Sequence, residues 1–442
     1  MERLRYASLR WGTGLAERLR LRLTPAGWLA FGGWAVAGAM SVDSERSAAY
    51  MIFSLLSGLW MWALAGIWFF RPRARAVRKL PRYATAGEPF VYRWSVLNDG
   101  DSPLRGARLR ERLPRTIPSY AAFRSTAGRF DESRTAVERV SGYGRWRALM
   151  RRAAVATEAC LLPDAGPGES VEAAARAVPA RRGRIDLSGA VFERVESLGL
   201  LRSFSQCPAA DHALVLPRRY PVGRLALPGS RRYQPGGVAL ASRIGESPEF
   251  IGLRDYRPGD PLRRIDWKSW AKEGKPIVRE YRDEQFVRHA LVLDTFAAPG
   301  REEHFEEAVS VAASFAATVL TQESLLDLLF VVDKAYCVTA GRGVGSAARM
   351  LEVLAGVERC AAQSFSVLSV SVLRRAATLT GCLLVLTDYD ASRREMLESL
   401  QALGIPVRAF VICDSTTQAE SSWGPSVRRI EIGRAAEGLA LP

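Results

Sequence analysis

Charged and aromatic residues are crowded into one stretch of the chain, GLRDYRPGDPLRRIDWKSWAKEGKPIVREY, which runs from residue 252 to residue 281. Two carboxylates in it, Asp260 and Asp266, could in principle act as a general acid and a general base. Several arginines and lysines neighbour them in the sequence, and nearby positive charge keeps a carboxylate ionised. An ionised carboxylate is a poor general acid and a weak general base. The composition therefore favours ion pairs over proton transfer.

The rest of the sequence offers no stronger catalytic set. It contains no G-x-S-x-G, H-E-x-x-H or Walker motif, and the glycine-rich segment GRGVGSAAR lacks the lysine of a phosphate-binding loop. Six cysteines occur singly, and the three histidines lie away from them and from each other. This pattern argues against a zinc site and favours buried thiols in a reducing compartment. We predict that the protein is not an enzyme.

Two apolar segments near the N-terminus indicate a membrane anchor. AGWLAFGGWAVAGAMSV (26–42) is uncharged over 17 residues, and SAAYMIFSLLSGLWMWALAGIWFF (47–70) is uncharged over 24 residues. A helix needs about 20 mostly apolar residues to cross a bilayer. Because only a short polar turn containing DSER separates the segments, we predict a two-helix transmembrane hairpin at 24–71.

The charges that flank the apolar segments predict the orientation. Residues 1–23, a basic N-terminus, hold six arginines and two glutamates, and RPRARAVRKLPR after the second segment holds six basic residues and no acid. Positive charge stays on the cytoplasmic side. We therefore predict a multi-pass protein of the cell inner (cytoplasmic) membrane, with both termini and the soluble domains in the cytoplasm. Anionic lipid headgroups would then account for part of the net charge of +16.

The middle of the chain has the alternating pattern of β-strands. EPFVYRWSVLNDG, ARLRERLP and the long run around GRIDLSGAVFERV alternate apolar and polar residues. We predict an antiparallel β-sandwich of immunoglobulin-like type at 72–225, interrupted near 125–165 by a polar, arginine-rich insertion. The insertion could be an exposed loop or two short helices.

The last third of the chain, 286–442, alternates aliphatic strands with amphipathic helices. This order predicts a mostly parallel α/β sheet covered on both faces, of Rossmann-like type. The whole protein is thus predicted to be multidomain. Ligands of such sheets bind beyond the carboxyl ends of the strands, which is where Asp294, Asp333 and Asp388 fall.

The last domain resembles a von Willebrand factor type A domain, whose metal site takes an Asp-x-Ser-x-Ser loop after the first strand and a later aspartate. This chain has Asp294-Thr295-Phe296-Ala297-Ala298 and, in the later position, Asp388. Both serine positions lack oxygen, and magnesium prefers six oxygen ligands. Asp294, Thr295 and Asp388 are therefore candidates for a degenerate site, and we expect neither bound magnesium nor another cofactor.

The stretch from Glu249 to Tyr281 resembles the signature of the domain of unknown function 58 family, bacterial proteins that join it to a von Willebrand-like domain. The matching positions are Glu249, Phe250, Gly252, Leu253, Arg254, Tyr256, Pro258, Gly259, Asp260, Arg263, Ile265, Asp266, Trp267, Lys268, Val278, Arg279 and Glu280. Departures are few, such as Asp255 where glutamate is usual. We assign 226–285 to this signature segment.

The resemblance implies a partnership with a MoxR-type AAA+ ATPase in the assembly or activation of an envelope protein. We thus predict a membrane-anchored adaptor that binds other proteins. In this scheme Asp260 and Asp266 fix the turn and the helix, and Trp267 packs the segment to the core. The position of Asp260 after Pro258-Gly259 also predicts that it caps a helix that begins at residue 261. The predicted interaction residues are Glu249, Arg254, Tyr256, Asp260, Arg263, Asp266, Trp267, Lys268, Arg279 and Glu280.

Three other readings stay open. The basic composition, with aromatic residues near arginines, is also typical of nucleic-acid binding. Much of that charge flanks the apolar segments, so we expect no nucleic-acid partner. An accessory to an envelope-remodelling enzyme is a further alternative. The charged residues of the signature could also form a purely internal clasp.

Overall fold

The computed structural model describes residues 2–41, 47–69, 72–113, 120, 123, 146, 155–223, 249–260, 262–282, 288–298, 300–319, 325–341, 344–360, 363–414 and 423–440. The chain divides into two compact units, Met1–Leu216 and Pro217–Pro442. The predictions for the DSER turn and for most of the insertion lie outside the described residues.

The first unit begins with three helices: α1 (Glu2–Arg22), α2 (Pro25–Met40) and α3 (Ser47–Phe69). Thr24 ends the polar helix and caps the apolar one, since its hydroxyl accepts the N–H of Gly27. The Trp34 ring stacks on Phe53 at 5.6 Å, and its indole N–H donates to the Ser57 hydroxyl at 3.0 Å. These contacts hold α2 against α3.

Among the described residues, one helix is long and apolar enough to cross a membrane. It spans Ala48–Trp68, and only 6% of its apolar window is buried. The 16 residues of α2 measure about 24 Å at 1.5 Å per residue, less than the roughly 30 Å of a hydrocarbon core. The structure thus identifies one candidate span, and a two-helix crossing stays a prediction.

Nine described strands follow in the first unit. They are β1 (Ala74–Lys79), β2 (Tyr83–Thr85), β3 (Phe90–Asn98), β4 (Arg108–Arg112), β5 (Val155–Thr157), β6 (Cys160–Leu161), β7 (Ser170–Pro179), β8 (Gly183–Val195) and β9 (Arg202–Leu216). One sheet has the order β1-β3-β7-β5 and the other β2-β9-β8-β4-β6. All pairs are antiparallel except β2 with β9, which is parallel and departs from the predicted pattern.

The two sheets share one hydrophobic core. Strand β7 buries every second residue, as SVEAAARAVP alternates, and Trp94, Leu109 and Phe192 from three other strands are each at most 1% exposed. Strands β5 and β6 lie within the range predicted as an insertion, so that prediction was wrong for 155–161. Their backbones add the outer strand to each sheet, a pairing that such short sequences do not reveal.

The second unit has a two-stranded part and a six-stranded part. The first holds β10 (Glu249–Asp255), α4 (Trp267–Glu273) and β11 (Ile277–Arg282). The second holds β12 (Arg288–Leu293), α5 (Glu302–Val319), β13 (Leu325–Val331), β14 (Ala335–Ala340), α6 (Val344–Gly356), α7 (Phe365–Leu373), β15 (Gly381–Leu386), α8 (Ala391–Ala402), β16 (Val407–Cys413), β17 (Val427–Glu431) and α9 (Ala435–Ala440).

The six-stranded sheet has the order β14-β13-β12-β15-β16-β17, and only β14 runs antiparallel to its neighbour. Helices cover both faces: α7 and α8 pack on one, while Phe315 of α5 meets Phe410 on the other at 4.7 Å. All residues of β15 are therefore buried. The predicted mixed α/β architecture with several sheets is confirmed.

The second unit begins earlier than the predicted boundary at 225. The backbone N–H of Tyr220 donates to the Ser314 hydroxyl and its phenol to Glu307, each at 2.8 Å. The N–H of Gly223 donates to the Leu439 carbonyl at 3.0 Å. Residues 217–223 are thus tied to α5 and α9 by hydrogen bonds rather than to the preceding strands.

Candidate functional site

The predicted interaction residues lie on a compact element, residues 249–282, which we call the motif hairpin. Strands β10 and β11 pair antiparallel, with a register shift between Phe250 and Gly252. A 3₁₀ turn at Leu262–Arg264 and the short helix α4 connect them. Gly274 ends α4 at a φ of +70°, a conformation that glycine adopts without strain.

Asp260 organises the turn after β10. Its two oxygens accept from the Arg254 guanidinium at 2.7 and 2.8 Å, and one also accepts the backbone N–H of Arg257 at 2.9 Å. The bond from Arg254, with help from the Arg257 N–H, lowers the pKa of Asp260 to about 2. This carboxylate is ionised at neutral pH and does not act as a general acid. The prediction that Asp260 caps the helix was wrong, because its acceptor sites are taken by the turn.

Asp266 is the residue that caps the helix. One of its oxygens accepts the Ser269 N–H at 2.9 Å, and the other accepts from Arg279 Nε at 2.6 Å. These two bonds lower the pKa of Asp266 below its ordinary value. Since Arg279 lies on β11, a single carboxylate ties the start of α4 to the returning strand. The helix consequently begins at Trp267, six residues later than predicted.

The two tryptophans of α4 form a stacked pair in which Trp267 is exposed and Trp270 is half-buried. The Trp267 and Trp270 rings stack at 5.1 Å with an interplanar angle of 18°. Trp267 is 65% exposed, so the prediction that it packs to the core was wrong. Ile265 takes the inward position instead, because it bridges to Val278 just before the helix begins. Leu262, in the same connection, is 67% exposed.

The remaining predicted residues surround this framework. Tyr256 is half-buried and its N–H donates to the Pro276 carbonyl at 3.0 Å, while Arg263 and Lys268 are exposed. Glu249 of β10 lies opposite Arg282, and Glu280 of β11 lies opposite Gly252. Sequence reasoning missed the ion pair of Lys275 with Asp255, at 2.9 Å. The sequence could have indicated this pair, because Asp255 ends β10 and Lys275 lies two residues before β11 begins.

A second group of predicted residues lies at the carboxyl edge of the six-stranded sheet, where β12 and β15 end. Asp294 is fully buried, and one oxygen accepts the Thr387 N–H at 3.0 Å and its hydroxyl at 2.8 Å. Thr295 is also buried and donates its hydroxyl to the Val331 carbonyl. Asp388 points outward and pairs with Arg301 at 3.0 Å, its side chain 52% exposed.

A guanidinium group lies where a cation would neutralise Asp294. Arg393 Nε is 2.7 Å from the same Asp294 oxygen, its Nη1 is 2.7 Å from Asp390, and its guanidinium lies 4.7 Å from the centre of the Phe365 ring. Burial lowers the pKa of Arg393, but the two carboxylates more than offset this and raise it above its ordinary value. Sequence reasoning missed Arg393, although Asp390 three residues earlier is the N-cap of α8.

Most of the ionisable groups at these two places are already engaged by neighbours. Within the described residues, no group of three or more histidines, cysteines or carboxylates could hold a metal ion. The Asp294 carboxylate is instead paired with the internal cation of Arg393. All six cysteines are unbridged, and burial raises the pKa of the Cys382 thiol to about 12, so this sulfur is protonated at neutral pH and a poor nucleophile.

Parts of the chain are similar to proteins that are already known. Among curated proteins, the uncharacterized protein YeaD of Bacillus subtilis (strain 168) is 31% identical over 93 residues, which cover 21% of this chain and 22% of YeaD. The chain thus spans about a fifth of that relative's length. Among solved structures, a GH20 exo beta-N-acetylglucosaminidase from Vibrio harveyi aligns with 81% of this chain and 78% of its own at 9% identity and a TM-score of 0.16. A score this low carries no argument about fold or function.

The family comparison covers the site itself. Residues 252–419 match the family described as "Protein of unknown function DUF58". The matched range begins inside the motif hairpin and includes the carboxyl edge with Asp294, Asp388 and Arg393. This part of the chain is therefore similar to the DUF58 family.

Proposed function

We propose that this protein is a membrane-anchored, non-catalytic adaptor that faces the cytoplasm and binds a partner protein through the motif hairpin. In this proposal α2 and α3 form the membrane hairpin and the two sheets of the first unit an immunoglobulin-like sandwich. The six-stranded sheet is a von Willebrand factor type A-like domain in which Arg393 replaces the metal. The partner suggested by the family resemblance is a MoxR-type AAA+ ATPase.

The observation that carries the proposal is the stacked pair of Trp267 and Trp270, of which the Trp267 ring is exposed. A tryptophan that is 65% exposed leaves a large apolar area in water, and tryptophan is enriched among the residues that dominate protein interfaces. Trp267 is the first residue of α4, which Asp266 holds in place through Ser269 and Arg279. A rigid presentation lowers the entropy lost on binding. The pair is thus suited to insert into a pocket of another protein.

The charges around the aromatic pair support a protein partner with an acidic surface. Arg263, Lys268 and Lys272 are exposed on the same short connection. Asp260 and Asp266 are already paired with arginines of the motif, so the positive charge of these three side chains faces solvent. Complementary charge steers association and selects partners. An acidic rim around an apolar pocket is the partner surface that fits.

The ion pairs of the motif hairpin also support docking over an internal clasp. Arg254 with Asp260, Arg279 with Asp266 and Lys275 with Asp255 each join two residues of the hairpin itself. An internal clasp would need these charges to be used for holding and the aromatic rings to be covered. The ion pairs do stabilise the local shape of the hairpin, but the Trp267 ring is left exposed.

A pull-down of the tagged full-length protein in detergent tests the proposal. The surface variant is Trp267→Ala with Leu262→Ala, which removes exposed apolar groups and leaves the ion pairs in place. The matched control is Leu403→Ala, also exposed (54%) and in the second unit. We expect an AAA+ ATPase, identified by mass spectrometry, to bind wild type and control and to lose about 2 kcal/mol, roughly 30-fold in affinity, with the surface variant.

Each outcome of the pull-down decides a different point. Equal capture by the surface variant would exclude the aromatic pair as the docking site. Capture of no ATPase by any form would exclude the suggested partner. Retention on DNA that salt abolishes would favour the nucleic-acid alternative, and recovery of a wall-active enzyme would favour the envelope-remodelling role. Release of wild type from membranes by alkaline carbonate would exclude the proposed anchor.

A further inference from the structure

The N-terminal helix α1 is held against the first unit on one side. The Tyr6 ring lies 5.6 Å from Tyr120, 5.9 Å from Phe123 and 5.7 Å from Trp146. Phe123 is fully buried and Trp146 is 4% exposed. The Arg3 guanidinium lies 5.7 Å from the centre of the Tyr120 ring. Aromatic residues distant in sequence thus hold the first half of α1.

The other end of α1 is held by the hairpin between β8 and β9. Arg202 donates to the Leu21 carbonyl at 3.2 Å, and Leu23 bridges to Leu201. The Thr24 N–H donates to the Leu200 carbonyl at 3.0 Å. Because both ends are tied to the same unit, the rotation of α1 about its own axis is set.

This rotation leaves two large apolar side chains of α1, Trp11 and Leu19, at least partly in solvent. At 100° per residue, position 11 lies about 140° around the helix from position 6. Trp11 and Leu19 lie about 80° apart on this side of the helix, with Ser8 and Arg22 between them. Trp11 is 80% exposed and Leu19 is 45% exposed. An exposed tryptophan and a half-exposed leucine on the same side of a helix are more stable when something apolar covers them.

The charges and the position of α1 indicate what contacts Trp11 and Leu19. The helix carries six arginines and two glutamates, and Arg3 and Arg10 are exposed. An apolar face with tryptophan and arginine-rich flanks is typical of helices that lie in a membrane interface. The exposed apolar surface continues into α2, where Trp28 is 46% and Leu29 is 80% exposed.

We propose that α1 lies in the plane of an anionic bilayer surface as a third, non-spanning membrane contact. Trp11 and Leu19 enter the boundary between headgroups and acyl chains, and the arginines bind anionic headgroups. Through Tyr6 and its aromatic neighbours, this contact fixes the first unit to the membrane. The inference rests on the proposed membrane anchor.

Spin labelling of the full-length protein in vesicles tests this inference. A nitroxide is attached at Trp11→Cys or at Leu19→Cys, in vesicles of phosphatidylcholine with one part in three of phosphatidylglycerol. The aqueous reference is Glu88→Cys, at an exposed turn of the first unit. Labelled wild type measures the background from Cys160 and Cys337, which are half-buried. Collisions with oxygen, which dissolves in lipid, are compared with collisions with a water-soluble nickel chelate.

We expect the labels at 11 and 19 to be severalfold less accessible to nickel than the label at 88, and more accessible to oxygen. The protection should weaken in vesicles without phosphatidylglycerol. Equal nickel accessibility at 11 and 88, in protein that resists carbonate, would overturn the inference and leave the anchor standing. Protection from both reagents would show a protein cover instead of lipid and would also overturn it. Removal of wild type by carbonate would overturn the anchor itself.

Discussion

Replacing Arg393 with methionine removes the cation that neutralises Asp294 and keeps most of the aliphatic volume. Asp294 is fully buried and Arg393 is 5% exposed. After the change, the carboxylate keeps the Thr387 N–H and hydroxyl but loses the guanidinium at 2.7 Å. A buried carboxylate without a counter-charge is costly because little water reaches it.

The size of the destabilisation follows from the burial of the Arg393–Asp294 ion pair. Removing one partner of a buried ion pair destabilises a protein by about 3–5 kcal/mol. The interaction with the Phe365 ring, at 4.7 Å, is lost as well, but it is the smaller contribution at about 0.5–2 kcal/mol. At 1.36 kcal/mol for each factor of ten, a loss of 3–5 kcal/mol makes amide exchange roughly 150- to 5000-fold faster, for amides that exchange by opening of the unit.

Hydrogen exchange with mass spectrometry measures this increase in amide exchange rate on the full-length protein in detergent. Peptides from β12 and β15 report the second unit, and peptides from β3 and β7 report the first unit as an internal reference. The matched control is Arg394→Met, where the neighbouring guanidinium lies 5.6 Å from the centre of the Tyr389 ring and is half-buried. Loss of the Arg394 guanidinium should lower the free energy of unfolding by at most about 1 kcal/mol, which makes amide exchange roughly fivefold faster.

Adding Asp294→Asn to Arg393→Met removes the uncompensated charge, so exchange should return part of the way toward wild type. Two results would refute the reasoning. Equal exchange in the Arg393 and Arg394 variants would mean that Asp294 does not depend on the guanidinium. A double variant that exchanges faster than Arg393→Met would mean that the lone charge is not the source of the loss.

Three further predictions follow from other contacts. Gly27→Ala should speed amide exchange around the start of α2, because a Cβ there would lie 2.2 Å from the Leu200 carbonyl oxygen, whereas Gly32→Ala should not, since nothing lies within 4 Å of its added Cβ. Acid should open the Asp260 turn. The pKa of Asp260 falls from its ordinary 3.8 to about 2 on folding, so its contribution is complete above about pH 4 and is lost as the pH falls through about 2, which exchange at the Arg257 amide after acid incubation would show. Magnesium and EDTA should leave exchange in β12 and β15 unchanged, and a rise in protection with magnesium would contradict the absence of a metal site.

Local patterns in the sequence were enough to predict most secondary structure. Runs such as GCLLVL are apolar without interruption because helices cover both faces of their sheet, and SVEAAARAVP alternates because one face meets a core. Strand β17 was missed, since only Ile430 of VRRIE is buried and the arginines hide the pattern. Strands β5 and β6 were missed because they are short and gain their structure from pairing with β7 and β4.

The sequence by itself determined the residue types of the motif hairpin, the apolar segments and the loss of the two serine oxygens near Asp294. Tertiary structure decided which charges meet. Asp260 and Asp266 both precede candidate helix starts, and only the path of the chain assigns the turn to one and the cap to the other. Arg393 lies 99 residues from Asp294, so no local pattern could pair them. Ion pairs act over a few ångströms, and such distances depend on the folded chain rather than on sequence spacing.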